Sequence, residues 1–104
     1  MNDRELLELA ARAAGLRSHW FFSASEGLQV SYKNAGRRFN WRPLTDDGDA
    51  LRLAVSTSLH KRLHEILTGP AYRADALSYG EQCATRRAIT KAAAEIGKSM
   101  GGGE

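Results

Sequence analysis

The stretch Arg37-Arg38-Phe39-Asn40-Trp41-Arg42-Pro43-Leu44-Thr45-Asp46-Asp47-Gly48-Asp49-Ala50-Leu51 changes its hydrophobic period part way along. Phe39 and Trp41 alternate with Arg38 and Asn40, the two-residue repeat of a strand over 37–41. Pro43, which has no amide hydrogen to give to a ladder, closes that strand. From Pro43 to Leu51, hydroxyl and carboxylate groups stand where the first turn of a helix leaves backbone N–H groups without partners. Leu51, Ala54 and Val55 then fall on one helical face. A strand that runs into a helix in this way predicts a mixed fold.

The segments upstream extend both halves of this reading. Asn2 or Asp3 can cap a helix over 3–14 whose stripe is Leu6, Leu9, Ala10 and Ala13. Arg4, Glu8 and Arg12 stand four residues apart on its outer side, and Gly15 supplies a left-handed stop. The β-favouring run from His19 to Ser23, the turn Ser25-Glu26-Gly27 and the alternating arm from Leu28 to Lys33 predict a hairpin. A further turn at Asn34-Ala35-Gly36 feeds the strand before Pro43.

Downstream, the spacing of Leu59, Leu63, Ile66 and Leu67 continues a helical stripe, and His60-Lys61-Arg62 spoils a two-residue alternation. Gly69-Pro70 is a breaker, leaving 71–79 as a short strand or an irregular return before Gly80. Alanine-rich composition predicts a long helix over 81–100 with Ile89, Ala92, Ala93, Ile96 and Met100 on its apolar face. Residues 101–104 make a frayed tail. The expected architecture is α+β: one domain over 1–100, with a small, mainly antiparallel sheet packed against two or three helices, N-terminal, middle and C-terminal.

Composition narrows the class. A chain of 104 residues with 42% hydrophobic and 26% charged residues has the balance of a folded globular domain. It contains no apolar run of membrane-spanning length, and Asp3, Arg4, Glu5 and Glu8 are unlike a secretory leader. Cys83 is the sole cysteine and cannot close an intramolecular disulfide, which fits a reducing cytoplasm. The net charge of +3 implies only mild attraction to polyanions. Eleven of the 15 basic residues are arginine, which suits forked recognition of phosphate or carboxylate and also follows from a GC-rich genome.

Motifs for catalysis are weak. Asp46, Asp47 and Asp49 invite a metal reading, but their spacing is not that of an EF-hand loop, and helix-capping carboxylates account for them. His60 and His64 stand four apart without the glutamate of a metalloprotease helix, and Cys83 is the only thiol that could join them. Cys83 itself, in the first turn of the last helix, has no base fixed beside it by the sequence. Glycine-rich phosphate loops, nucleophile elbows and paired-carboxylate motifs are missing. No catalytic, cofactor or metal residues are assigned, and a non-enzymatic protein is expected.

The candidate binding residues are Lys33, Arg37, Arg38, Phe39, Trp41 and Arg42, basic and aromatic together in the manner of a single-strand nucleic-acid platform. Arg86 and Arg87, with Lys91, add a second basic strip that could meet phosphates. Strand alternation sets a competing reading, because it puts Phe39 and Trp41 on the face opposite Arg38 and Arg42, with only Arg37 beside the aromatics.

The phrase running from Trp41 through Ala54-Val55, W-x-P-L-T-D-D-G-D-A-L-R-L-A-V, carries a resemblance. Taken with Arg4-Glu5-Leu6-Leu7-Glu8-Leu9-Ala10, Ala84-Thr85-Arg86-Arg87-Ala88-Ile89 and Ala93-Ala94-Glu95-Ile96-Gly97, it resembles a group of small hypothetical proteins of tailed bacteriophages and prophages. More distantly, the order of parts resembles the phage sandwich-domain family, in which helices flank a small sheet. The resemblance covers about half of the chain and leaves 16–36 and 56–80 unmatched. It implies a strand pair near 58–67, against the helical spacing there, and it brings no catalytic residues. The expected function is that of a phage accessory protein that binds a macromolecule, an unidentified protein first and nucleic acid as the alternative.

Overall fold

In the computed structural model, which describes residues 3–20, 28–32 and 38–100, two long helices lie side by side behind a small sheet. The first, α1 (Asp3–Ala13), ends where Gly15 adopts a left-handed φ of 76° that a side chain would resist. Three strands follow: β1 (Leu16–Trp20), β2 (Leu28–Tyr32) and β3 (Arg38–Asn40). They are antiparallel in the order β1-β2-β3, with Ser18 opposite Val30 and Val30 opposite Phe39. The first strand starts earlier than the hairpin reading placed it. Residues 21–23, both turns (25–27 and 34–36), Lys33 and Arg37 lie outside the described residues, as does the tail at 101–104.

After Trp41 the chain turns into α2 (Asp47–Ser56), where the change of period places it. Residues 59–67 are helical, as Leu59, Leu63 and Ile66 indicate: a 3-10 turn (Leu59–Arg62) runs into α3 (Leu63–Ile66). The strand pair implied there by the resemblance is absent. Residues 71–79 correct the sequence reading too, since they belong to α4 (Pro70–Tyr79) rather than to a strand or an irregular return. Pro70 does not only interrupt here. At the first helical position its missing N–H costs nothing, because that group has no intrahelical acceptor, and its fixed φ suits the helix. The last helix, α5 (Glu81–Met100), has the predicted bounds. Among the described residues there are therefore five α-helices and a three-stranded antiparallel sheet, an α+β fold with more helix than expected.

The core gathers Ala10 and Ala11 of α1, Leu16 and Val30 of the sheet, Trp41, Ala50, Leu53 and Ala54 of α2, Leu59, and Ile89 and Ala93 of α5. Small residues let α1 and α5 approach until Gly97 touches the backbone of Leu9, leaving no space for a Cβ. The predicted stripe of α5 is thus too narrow. Ala84, Thr90, Ala94 and Gly97 are buried as well, and Met100 is exposed. Thr90 is accommodated because its hydroxyl donates to the Arg86 carbonyl at 2.8 Å.

Candidate functional site: the α2 corner and its groove

The acidic phrase is the scaffold of a helix start. Pro43 to Thr45 form a turn in which the Arg42 carbonyl accepts from the amides of Thr45 (3.1 Å) and Asp46 (2.7 Å). Asp46, in extended conformation, caps α2 by accepting the Asp49 amide at 2.8 Å. Asp49 is buried, at 9% exposure, and its carboxylate accepts the Arg42 amide at 2.8 Å with one oxygen and the Arg52 guanidinium at 2.6 Å with the other. Asp47 reaches away from the corner to Arg86 of α5, at 2.6 Å.

These environments rank the three carboxylates. Asp49→Ala leaves the Arg42 amide without its charged acceptor and is expected to cost about 2–3 kcal/mol. Asp46→Ala removes a cap and is expected to cost about 1 kcal/mol. Asp47→Ala loses a pair whose carboxylate is largely exposed, for roughly 0.5 kcal/mol or less. Urea denaturation of the three variants checks this order, and equal losses would show that the corner does not hold its carboxylates in these roles.

The basic and aromatic candidates do not form one surface. Trp41 is 4% exposed and belongs to the core, and Phe39 is half-buried against it, so Trp41 offers no face to a nucleobase. Arg42 is exposed, while the described part of Arg38 is its backbone, paired with Ser31. Arg86 is a staple between α5 and the corner: its Nε donates to the Leu44 carbonyl at 3.0 Å and its terminal nitrogen pairs with Asp47. Arg87 turns to the other side of α5 and pairs with Asp3 of α1 at 3.1 Å. Lys91 pairs with Asp75 of α4 at 3.3 Å.

The remaining candidates stand apart. His60 and His64 are both exposed, one on the 3-10 turn and the other on α3, and the His60 Nδ1 lies 3.5 Å from the Ala54 carbonyl. Cys83 is half-buried in the first turn of α5. Among the described residues no three His, Cys, Asp or Glu side chains are grouped to hold a metal ion.

What the sequence reading missed is a groove of about 390 Å³ between α2, α3, α4 and α5. Ala50, Leu51, Leu63, Tyr72 and Ile89 give it an apolar lining, and Asp47, Glu81, Gln82, Thr85 and Arg86 supply polar groups. The tyrosine hydroxyl lies 3.5 Å from Thr85 Oγ1 across the wall that α4 makes with α5. Outside the groove, large apolar side chains are exposed on two of its four helices, Val55 of α2 and Leu77 and Tyr79 of α4. A signal for it existed. Five of the six residues 50–55 are apolar, more than one buried face of a helix can take, so Ala50, Leu53 and Ala54 go inward and Leu51 and Val55 stay outside.

Comparison with protein-family models, with characterised proteins and with solved structures returns no match.

Proposed function

We propose that this chain is a non-enzymatic binding module that docks a protein partner on the side formed by α2 and α4, as a phage or prophage accessory protein in the bacterial cytoplasm. The observation that carries the docking reading is the exposure of Leu51 (58%), Val55 (54%), Leu77 (91%) and Tyr79 (67%) on these two helices. Leu51 lines the groove and Val55 stands one turn further along α2, and apolar side chains left in water at a groove are what a protein interface covers. The phage assignment is supported by the phrase from Trp41 to Val55 and its companion segments. No helix of the described residues is long and apolar enough to cross a membrane.

Nucleic acid is the weaker reading of the partner, because Trp41 is in the core and Arg86 and Arg87 already meet carboxylates. Affinity capture from bacterial lysate with the wild-type chain and with Leu51→Glu plus Val55→Glu tests the proposal. These exposed positions should tolerate the change with little loss of stability. The expected result is a protein that the wild type retains and the double variant loses at least about tenfold. Equal recovery by both chains overturns the proposal. Nuclease-sensitive, salt-dependent recovery of nucleic acid in place of a protein would also overturn it.

A further inference from the structure

Resting on the docking reading above, we infer that the groove between α2, α3, α4 and α5 accepts an amphipathic helix whose apolar stripe is bordered by lysine or arginine.

The lining fixes the apolar half of that description. Leu51, Leu63, Tyr72 and Ile89 face the groove, and α2, with its 10 residues, spans about 15 Å, the length of some three turns of a docked helix. A helix seated in such a groove buries residues at i, i+3 or i+4, and i+7. Val55, exposed one turn beyond Leu51 on α2, continues the strip past the groove's edge.

The rim fixes the charge. Its cation, Arg86, is 18% exposed and is occupied beneath the surface by Asp47 and the Leu44 carbonyl, whereas the Asp47 side chain is 71% exposed. Glu81, at the other end of the lining, is exposed and has no ion pair among the described residues. The charges that meet an approaching ligand are therefore carboxylates, on a chain whose net charge is +3. That inversion of the molecule's overall sign at one apolar groove favours a basic helix over an acidic one.

Two designed helical peptides of about 14 residues test this, each with leucines at helix spacing and either lysines or glutamates along the borders. With the isotope-labelled full chain, the lysine peptide is expected to shift the amide signals of Leu51, Leu63, Tyr72 and Ile89. It should bind at least about tenfold more tightly than the glutamate peptide at low salt. Glu81→Gln should weaken the lysine peptide, and Glu81→Lys should reverse the preference, with melting curves confirming that both variants fold. A glutamate peptide that binds as well, or indifference to both Glu81 variants, overturns the inference and leaves the docking proposal standing. Sedimentation of the chain as a dimer that covers Leu51 assigns the groove to a second copy and overturns it as well. Failure of both peptides to shift the groove signals refutes the helix as occupant, and the lysate capture then decides the docking proposal separately.

Discussion

Gly97→Ala is expected to destabilise the protein by about 2–4 kcal/mol, although alanine is the better helix former. In an open helix the substitution would stabilise by about 0.5–1 kcal/mol, because glycine loses more backbone freedom on folding. Here a Cβ at position 97 would fall far inside van der Waals contact with the Leu9 carbonyl oxygen and 2.8 Å from its carbonyl carbon. Both atoms are backbone, held by the hydrogen bonds of α1, and cannot swing aside as a side chain would. The helices must part, and the contacts of Leu6, Ala10, Ala93 and Ala94 loosen with them. Gly97→Val should cost more, roughly in proportion to the added volume. Urea unfolding followed by circular dichroism reads the effect as a lower midpoint, and an unchanged or raised midpoint for Gly97→Ala would mean that α1 and α5 do not touch at Leu9.

Trp41→Ala is expected to cost about 3–5 kcal/mol, the range for deleting a large aromatic side chain from a packed core. Trp41 is 4% exposed and joins the sheet to α2, among Leu16, Val30 and Leu53. Removing it leaves a void that residues on three elements cannot all close together. Trp41→Phe should cost less, because it keeps most of the apolar contact. The comparison also bears on nucleic-acid binding. A chain weakened by Trp41→Ala can lose any ligand simply by unfolding, so the informative substitution for phosphate contact is the exposed Arg42→Ala, which should leave the melting temperature unchanged.

Those two positions show what the sequence could and could not express. Trp41 was legible as a core residue from strand alternation, which set it opposite Arg38 and Arg42. Asp46 was legible as a cap because its position ahead of an apolar helix serves an amide without a partner. Gly97 was not, since a glycine inside a helical pattern records a close approach only once its neighbour is known. Arg86 and Arg87 are adjacent in the chain, but on a helix that places them about 100° apart, and partners 39 and 84 residues away decided their roles. The groove escaped notice because one of its walls is α4, and Gly69-Pro70 was read as an end where it is also a beginning. Side-chain period identifies an element, whereas a site between elements depends on contacts that period does not encode.

The wall that α4 lends to the groove contains no buried residue, and the polar ties that join it to α5 are the Tyr72–Thr85 contact and the Asp75–Lys91 pair. Its opening free energy is therefore expected to lie below the global value, which amide hydrogen exchange would show as faster exchange in α4 than in α5. A ligand resting on that wall would have to hold it closed, which would lower affinity below what shape alone would give. The same weakness shortens residence, since release can begin with the wall letting go while the paired helices behind it remain intact.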